Sequence, residues 1–467
     1  MALLLCSKSF SAIAEKPNII FILADDLGLM DIGYNSPRKV YTPTLDKLAS
    51  EGAIFDRSYS MPQCTPTRVA LLTGRFPNRF GIRQLIANNE TNLPPGTSTI
   101  ASLLKAQGYS THLAGKWHIA TDIAAGPNHF GFDSSYGSLA GAVGAYDHRY
   151  RVGANALTWH RDLTIIPGNK DGVHVTDLVA REAVRIIENS RQPFFLYLPF
   201  HTPHTPLDER GKFTDRPTQL DPKNPKRWLN EDDIPWFNDP AGIIQKEPDP
   251  QKRLLLAAVH HLDHAVGEVI VALDRVDLRK NTLIVFTSDN GPQVKWPGNA
   301  YPDDLKLTNF NQPLPLRGSK MDVWEGGIHV PGFANWPGHI APKHIKEPIH
   351  IVDWLPSLLA VAGATPEATL QVDGINVAPA LFEKNSTAIP TKRELHWIWG
   401  NPPNRRALSQ GEWKIVRYGI GEPKAASDWQ LFHLTADPKE QTNVAPQHPA
   451  LLESLHQAYL TQRAKDK

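Results

Sequence analysis

The chain has 467 residues, of which 41% are hydrophobic and 21% are charged, and its formal net charge is +1. This length allows two or three structural units around a large core, and the nearly neutral charge excludes the basic field that nucleic-acid binding requires. The only two cysteines are Cys6 and Cys64, so a disulfide framework is excluded as well. Beyond the N-terminus no apolar run approaches the length that spans a bilayer, and we expect no membrane span.

Residues 1–14 have some features of an export signal. A short apolar stretch over residues 2–6 is followed by Ala12-Ile13-Ala14, which has the A-x-A pattern of a cleavage site. The apolar stretch is short and lacks a positively charged flank, so a disordered leader is the alternative. A cleaved or truncated signal would place the protein in the periplasm or outside the cell.

Four continuous apolar runs predict buried strands, because a strand that is covered on both faces has apolar residues on both. They are residues 18–23, 109–114, 194–198 and 283–286. Helical patterns lie between them or follow them, over residues 43–52, 98–107, 173–189, 251–276 and 349–363. Strands that alternate with helices predict an α/β domain with a mainly parallel sheet, which we place at residues 15–385.

The character of the sequence changes after about residue 385. Short strand-like segments follow over residues 394–399, 411–417 and 430–434, and a final helical pattern covers residues 449–464. We therefore expect a second, smaller unit over residues 386–467.

Each of the four predicted strands is followed by polar residues. In chain order these are Asp25, Asp26, Lys116, His118, His201, His204, Asp289 and Asn290. Ligands of parallel α/β sheets bind beyond the carboxyl ends of the strands. We therefore expect all of these side chains to contribute to one site.

Cys64-Thr65-Pro66-Thr67-Arg68 precedes a short apolar segment that Gly74 closes. Pro66 suits the first turn of a helix, so Cys64 lies at or just before a helix N-terminus, where unpaired N–H groups favour anions. Arg68 lies one turn further along and can return towards the same point. A buried, inert thiol is the alternative. Too few residues separate Cys64 from Arg68 for a phosphate-binding loop, and a metal-binding cysteine pair is excluded.

The C-T-P-T-R segment and the apolar helix behind it resemble the C-x-P-x-R signature of the formylglycine-dependent (type I) sulfatases, which include arylsulfatases and carbohydrate sulfatases. Residues 108–118, G-Y-S-T-H-L-A-G-K-W-H, match a second signature, and residues 316–327, L-R-G-S-K-M-D-V-W-E-G-G, are similar to a further family segment. The resemblance extends over nearly the whole chain. It implies an alkaline phosphatase-like α/β fold, with a large mainly parallel sheet between helices and a small C-terminal antiparallel sheet with a helix.

Asp25, Asp26, Asp289 and Asn290 offer hard oxygen ligands, and adjacent carboxylates repel each other unless a cation neutralises them. Three carboxylates and an amide oxygen suit Ca²⁺ or Mg²⁺ better than Zn²⁺. The resemblance favours Ca²⁺, with the modified Cys64 completing its coordination shell. Capping of a turn or helix by the Asp-Asp pair is the alternative.

In this family the cysteine is oxidised to an aldehyde, formylglycine, which implies a formylglycine-generating or equivalent maturation enzyme as a partner. One hydroxyl of the hydrated aldehyde would attack sulfur, and loss of a proton from the other would expel sulfate. Lys116, Lys320 and Arg68 can supply fixed cations for the sulfuryl oxygens, Arg68 by holding the modified residue. We assign the general acid to His201, and the proton or hydrogen bond of the second hydroxyl to His118.

The resemblance implies a sulfuric ester hydrolase that acts on a sulfated poly- or oligosaccharide. His148, Arg149 and His160 are candidates for a sugar subsite, since cations and aromatic rings suit that ligand, and a solvated lid is the alternative. His204 either binds substrate or caps a turn. Two other functions stay open: a phosphonate monoester or phosphodiester hydrolase of the same superfamily, and a catalytically silent anion-binding protein in which Cys64 is never converted.

Overall fold

The structure is a computed structural model of the chain. It describes residues 16–36, 39–85, 93–150, 156–167, 172–189, 193–211, 218–294, 315–383 and 386–467. The leader that we expect over residues 1–14 lies outside the described residues, as does the last residue of the predicted α/β unit.

The strands are β1 (Asn18–Ala24), β2 (Ala53–Phe55), β3 (Ser58–Tyr59), β4 (Ser110–Lys116), β5 (Ser134–Ser138), β6 (Trp159–Arg161), β7 (Thr164–Ile165), β8 (Phe194–Pro199), β9 (Leu220–Asp221), β10 (Asn224–Trp228), β11 (Thr282–Ser288), β12 (Gly332–Asn335), β13 (Lys343–Ile345), β14 (Ile349–His350), β15 (Glu394–Trp399), β16 (Arg405–Gln410), β17 (Trp413–Tyr418) and β18 (Gln430–His433). The α-helices are α1 (Pro43–Ser50), α2 (Cys64–Thr73), α3 (Ile100–Ala106), α4 (Val175–Asn189), α5 (Pro250–Arg275), α6 (Glu325–Ile328), α7 (Trp354–Val361), α8 (Ala378–Phe382) and α9 (Pro449–Arg463).

Ten of the described strands form one sheet in the order β13-β2-β12-β11-β1-β8-β4-β5-β6-β7. The five central strands, β11 to β5, are parallel throughout. Asn18 of β1 pairs with Thr282 of β11, and Ile19 pairs with Phe195 of β8. The four apolar runs of the sequence are thus four neighbouring strands, which confirms the predicted parallel sheet.

The central sheet separates two hydrophobic layers, as the alternation of side chains along a strand requires. On β1, Ile19 and Phe21 face one layer, in which α2, α3 and α7 pack. Ile20 and Ile22 face the other layer, in which α1, α4 and α5 pack. Both faces are covered, and every residue of β1, β8 and β11 is buried. The large unit is therefore a helix–sheet–helix sandwich, as expected.

Among the described residues, α5 is the one helix that is long and apolar enough to cross a membrane by length and composition. This run was not predicted, because polar residues such as His261 and Asp263 interrupt it. Leu262 and Val266 of α5 are fully buried in the core. Packing inside the protein accounts for the apolar character of this helix.

Two parts of the large unit differ from the predictions. The helix expected over residues 349–363 begins only with α7, because Ile349 and His350 form β14 and the backbone N–H of His350 donates to Asp353 at 2.7 Å, which turns the chain. The outer strands β2, β12, β13, β6 and β7 were not predicted. They have two to four residues each, too few for a recognisable period.

The C-terminal region forms a four-stranded antiparallel sheet in the order β15-β16-β17-β18. Ile398 and Tyr459 share a third hydrophobic cluster, which joins this sheet to α9. The indole N–H of Trp397 donates to the carbonyl of Ser60 at 2.9 Å, so the small sheet is attached to the large unit close to α2. The boundary between residues 385 and 386 stays a prediction.

Candidate active site

The polar residues that follow the central strands meet at the carboxyl edge of the sheet. Asp25 and Asp26 follow β1, and Asp289 follows β11 directly. Each of these three carboxylates offers an oxygen atom, and the three atoms lie within 4.8 Å of one another. Asp26 has a φ of 64°, a left-handed conformation that aspartate tolerates better than most residues. The chain therefore turns sharply at the end of β1 and keeps both carboxylates at this edge.

Cys64 is the first residue of α2 and is 1% exposed. The preceding residue, Gln63, is extended, Pro66 lies in the first turn, and Gly74 ends the helix with a φ of 65°. Local sequence thus places the thiol at a helix start, as expected. Burial raises the pKa of the Cys64 thiol to about 11, although Lys320 and Lys116 act to lower it. The unmodified thiol is therefore neutral at physiological pH and a poor nucleophile.

Each carboxylate of the site has a cationic partner. Nη2 of Arg68 lies 2.8 Å from Oδ2 of Asp289, and Nη1 donates to the carbonyl of Lys116 at 2.7 Å. The ammonium group of Lys116 pairs with Asp25. Arg68 is fully buried by these contacts, and it thus fixes the end of β4 to the end of β11.

Lys320 reaches the same place from the segment before α6. Its Nζ lies 2.8 Å from Oδ1 of Asp26 and donates to Oε1 of Gln293 at 3.3 Å. Gln293 was not predicted, since a lone glutamine in a loop has no signature. Burial raises the pKa of Asp289 to about 6, with Asp25 acting in the same direction. Three cations are thus not enough to offset the burial of this carboxylate.

Two oxygen atoms of the site have no hydrogen-bond partner among the described residues. They are Oδ1 of Asp25 and Oδ1 of Asn290, and both are buried. The amide Nδ2 of Asn290 donates to Asp26 at 2.7 Å, which leaves its oxygen for another ligand. Buried polar atoms are rarely left unpaired, and the donor set consists of oxygen atoms, which Ca²⁺ and Mg²⁺ prefer. These residues therefore fit a divalent cation.

His118 lies beside Cys64. The hydroxyl of Thr65 donates to the carbonyl of His118 at 2.9 Å. Burial, together with the nearby Lys116, lowers the pKa of His118 well below its ordinary value. A Cβ atom at Gly141 would come within 2.4 Å of the His118 ring. Gly141 was not predicted, because only the fold reveals that this glycine gives the imidazole its space.

His204 is closer to the reacting groups than the sequence indicated. Its Nε2 lies 3.6 Å from Oδ2 of Asp26, and one of its ring nitrogens lies within 4.8 Å of ligand atoms of Cys64 and Asp25. Its Nδ1 bonds the carbonyl of Thr205. Burial, followed by Lys320 and Lys116, lowers the pKa of His204 well below its ordinary value. His204 is thus placed to contact a group bound at residue 64.

His201, the predicted general acid, does not share the partners of His204. Its Nε2 lies 2.7 Å from Oγ of Ser138, the last residue of β5. The Ser138 hydroxyl donates to the carbonyl of Ala140 at 2.7 Å, so its oxygen accepts the proton of His201 Nε2. Nδ1 of His201 is buried and has no hydrogen-bond partner in the described part of the chain. Trp159 stacks on the ring with centroids 5.9 Å apart.

The three residues proposed for a sugar subsite differ in burial and in their hydrogen-bond partners. His160 is fully buried, and its Nε2 lies 3.0 Å from Oγ of Ser135 on the neighbouring strand, so it is part of the sheet packing. His148 is also buried and bonds the carbonyl of Val173 at 2.9 Å. The side chain of Arg149 is 42% exposed. The subsite built from all three stays a prediction, and two of its members bond neighbouring parts of the protein.

Comparisons with known proteins agree with this arrangement. A family model described as Sulfatase matches residues 17–364. Human arylsulfatase A is 30% identical over 100% of this chain and 91% of the human protein. N-acetylgalactosamine-6-O-sulfatase of Bacteroides thetaiotaomicron is 26% identical over 95% of this chain and 92% of that protein. The crystal structure of Ps i-CgsB in complex with k-i-k-neocarrahexaose has a TM-score of 0.77 and 28% identity, covering 97% of this chain and 94% of that chain.

Proposed function

The chain belongs to the sulfatase family and is a sulfuric ester hydrolase, and we propose that it removes sulfate from a sulfated carbohydrate. Cys64, oxidised to an aldehyde, is the reacting residue of this proposal, and the cation is Ca²⁺, with Mg²⁺ as the alternative. The proposal depends on one observation. A single thiol, three carboxylates and three cationic side chains meet at the carboxyl edge of the parallel sheet.

The chain's own contribution is to hold charge where the ester reacts. A hydrated aldehyde at residue 64 supplies one hydroxyl that attacks sulfur and a second whose deprotonation expels sulfate. A bound divalent cation lowers the pKa of an oxygen ligand and polarises the sulfuryl group. Lys116 and Lys320 are buried beside Asp25 and Asp26, and fixed cations stabilise negative oxygens much more strongly in such a site than in water.

We place the proton donor for the leaving alcohol at His204 rather than at His201. Nδ1 of His204 must donate to the carbonyl of Thr205, so the proton that changes is the one on Nε2, the atom that faces Asp26. Lys320 and Lys116 disfavour the charged ring, and a bound sulfate ester has the opposite effect because it brings negative charge. Substrate binding would therefore favour a protonated Nε2 next to the leaving oxygen.

His204→Ala and His201→Ala, compared side by side, test this assignment. A proton donor matters most for leaving groups that are poor, so His204→Ala should reduce kcat on a sulfated sugar about 10²-fold or more, and much less on an activated aryl sulfate. His201→Ala should affect both substrates to a similar extent, since Ser138 holds its Nε2. The reverse pattern would return the role to His201.

The carbohydrate class rests on the relatives. One carries the name of an N-acetylgalactosamine-6-O-sulfatase, and a similar solved structure contains a neocarrahexaose. We test it with purified, matured protein and a panel of sulfated mono- and oligosaccharides, with sulfate and phosphate esters of one alcohol as a pair. Preferred release of phosphate would favour the phosphonate or phosphodiester alternative, and no turnover of any sulfated sugar would remove the carbohydrate assignment.

Maturation and location complete the proposal. We infer that a maturation enzyme oxidises Cys64, and mass spectrometry of its peptide tests this, because thiol-to-aldehyde conversion removes about 18 Da. An unmodified thiol in fully active protein would overturn it. The pattern of residues 1–14 and the polymeric nature of sulfated carbohydrates support a periplasmic or extracellular location. Fractionation of the producing cells, with N-terminal sequencing of the mature protein, is the measurement.

A further inference from the structure

The segment that brings two histidines into the active site bonds the neighbouring β1 strand only at its start, where the N–H of Phe200 donates to Leu23 at 2.9 Å and the N–H of Asp25 donates to Thr202 at 3.3 Å, as far as the described residues show. We call residues 200–209, which follow β8, the histidine segment, because they contain His201 and His204. Beyond Thr202, side-chain contacts hold it in place. Near its start, the hydroxyl groups of Thr202 and Thr176 lie 2.5 Å apart, which attaches it to the first turn of α4. Its far end needs an equivalent attachment.

Glu209 supplies that attachment. It bonds His261 of α5, which in turn bonds Asp177 of α4. Its carboxylate lies 3.1 Å from Nδ1 of His261 on α5. The other ring nitrogen of His261, Nε2, lies 3.0 Å from Oδ1 of Asp177 on α4. Ionised carboxylates only accept hydrogen bonds, so both nitrogens donate and the ring is a cation. The ring of Trp236 stacks on it with centroids 4.0 Å apart, an arrangement that suits a cation.

The charges of this cluster support one another despite their burial. Burial acts to raise the pKa of Glu209, but His174 and His261 outweigh it, and the carboxyl pKa is lowered. Burial acts to lower the pKa of His261, but Glu209 and Asp177 raise it to about 9. Glu209 and His261 are 2% and 1% exposed, so water screens their attraction little.

The cluster is not arranged for a metal ion, although His174, Glu209 and His261 place ligand atoms within 4.8 Å of one another. The backbone N–H of Thr176 donates to Nδ1 of His174 at 3.1 Å, so Nδ1 holds a lone pair. The proton of the neutral ring is therefore on Nε2, the nitrogen that lies 3.6 Å from Glu209. A protonated nitrogen cannot bind a metal, and hydrogen bonds account for the contacts instead.

We propose that His261 is a positioning residue for the active-site histidines: as a cation between Glu209 and Asp177, it fixes the end of the histidine segment to α4 and α5. This rests on the proposed function, because the position of His204 matters only if a sulfate ester reacts beside it. A cavity of about 20 Å³ is lined by His201 and His204 as well as by Glu209. Glu209 and the His204 ring thus border the same space, so a shift of Glu209 changes the space in which that ring lies.

The charge on His261 makes this attachment dependent on pH. The titratable groups that face it or lie near it are Asp177 and Arg181 of α4, Asp208 and Glu209 of the histidine segment, His174, and His260 and His264 of its own helix. A free histidine has a pKa of about 6.5, below the value of about 9 in the folded protein. The stabilising contribution is therefore complete below about pH 6.5 and is lost as the pH rises through about 9.

The experiment uses the full-length, matured protein and four variants. His261→Gln removes the charge, His261→Lys keeps a cation above pH 9, and Glu209→Gln removes the partner's charge. His264→Gln is the matched control, because His264 is an exposed residue of the same helix and contacts the same Trp236 ring, with centroids 5.0 Å apart.

We expect His261→Gln to lower kcat on a sulfated sugar about 10²-fold with little change in KM, since misplacement of a reacting group by about 1 Å has this effect. The difference in Tm between wild type and His261→Gln should shrink between about pH 6.5 and 9. His261→Lys should retain more of its activity above pH 9 than wild type does. His264→Gln should behave like wild type in all three respects.

Each other outcome has a distinct meaning. A wild type that hydrolyses sulfate esters and a His261→Gln variant equal to it at every pH would overturn the positioning role and leave the proposed function intact. A wild type inactive on sulfate esters would overturn the proposed function, and the pH dependence of the Tm difference would still test the cation.

Elemental analysis could find a stoichiometric metal in the wild type and none in His261→Gln. In that case a bound metal, rather than a proton on His261, holds the cluster together, and the proposal is overturned. If His261→Gln does not fold, wild-type activity and pH profile in Glu209→Gln would overturn the proposal, and the same loss would support it.

Discussion

Residues 316–328 contribute one side chain to each of two groups of buried charges, and the two groups differ in how their charges are paired. The first is the active-site cluster, to which Lys320 belongs. The second, which we call the seam cluster, consists of Glu325, Lys414 and Glu440 and joins the large unit to the C-terminal sheet. Both contain carboxylates paired with fully or nearly buried lysines. They differ in whether the protein alone satisfies them.

In the seam cluster every carboxylate oxygen has a hydrogen bond or an ion pair within the protein, and Oε1 of Glu440 has the ion pair with Lys414 but no hydrogen bond among the described residues. Nζ of Lys414 lies 2.8 Å from Oε1 of Glu325 and 2.9 Å from Oε1 of Glu440. The hydroxyl of Tyr59 donates to Oε2 of Glu325 at 3.0 Å, and the backbone N–H of Glu325 donates to Oε2 of Glu440 at 2.7 Å. Each of these charges thus lies against an opposite charge of the protein itself, which is typical of a structural contact between two units.

In the active-site cluster the described residues do not provide a partner for every polar atom. Oδ1 of Asp25 and Oδ1 of Asn290 are buried without a hydrogen-bond partner in the described ranges. Unpaired buried oxygens cost about 1 to 3 kcal/mol each, so a protein retains them where something else binds. The seam cluster therefore serves stability, whereas the active-site cluster has oxygen atoms left for the cation that we propose.

The largest expected effect is that of Cys64→Ala. Without a thiol no aldehyde can form, and we expect turnover to fall by about 10⁴-fold or more, as for other lost nucleophiles. The small side chain at a helix start should change the free energy of unfolding by only about 1 kcal/mol. Sulfate release and thermal unfolding measure the two quantities. Global unfolding of this variant would support the inert-thiol alternative.

Removal of the divalent cation should abolish activity reversibly and should also lower the Tm. The repulsion among Asp25, Asp26 and Asp289 is then no longer offset, and a ligand at about 100 times its Kd contributes about 2.7 kcal/mol to stability. Dialysis against a chelator, followed by addition of Ca²⁺ or Mg²⁺, tests both effects and tells the two ions apart. Full activity in excess chelator, with elemental analysis confirming that the metal is absent, would contradict the proposed site.

Which of these features the sequence predicts depends on how local their causes are. The strands β1, β8 and β11 are continuous apolar runs with polar residues directly behind them, so both the strands and their functional ends could be located. β16 was missed because Arg405 and Arg406 break the apolar pattern. Arg406 is nevertheless 1% exposed, because Glu422 and the carbonyl of Gly419 receive its guanidinium. Those partners lie just beyond the end of β17, the next strand of the chain, so the local pattern around Arg406 does not reveal them.

The same distinction applies to the site. Motif spacing gave Cys64 and Lys116, whereas the choice between His201 and His204 depends on how the chain turns between them. The contact of His160 could not be predicted either, because its partner Ser135 comes from the neighbouring strand. Side chains fixed by their own strand or helix could thus be predicted, and those fixed by a distant partner could not.

Lys116→Met and Lys414→Met form a matched pair, one lysine from each cluster. Lys414→Met leaves two buried carboxylates unpaired, and we expect a loss of about 3 to 5 kcal/mol in unfolding free energy that Ca²⁺ does not restore. Lys116→Met should reduce kcat about 10²- to 10³-fold, and Ca²⁺ should restore stability but not activity. Thermal unfolding and kinetics, each with and without Ca²⁺, provide the comparison. Rescue of Lys414→Met by Ca²⁺ would mean that the two clusters are not independent.

The smallest effect concerns the proton balance of the seam cluster, where one lysine faces two carboxylates. Burial raises the pKa of Glu440 to about 7, with Lys414 opposing this and Glu325 adding to it. Because this lies above the ordinary value of 4.5, the contribution of protonated Glu440 is complete below about pH 4.5 and is lost as the pH rises through about 7. Glu440→Gln cannot ionise, so the stability of this variant should fall less than that of wild type across this range.

The readout is therefore the slope of Tm against pH rather than Tm itself, because the glutamine has one acceptor oxygen for two donors and loses about 1 kcal/mol at every pH. Glu412→Gln is the control, a carboxylate of the same sheet whose side chain is 56% exposed. Equal slopes in wild type and Glu440→Gln would show that Glu440 does not hold the proton.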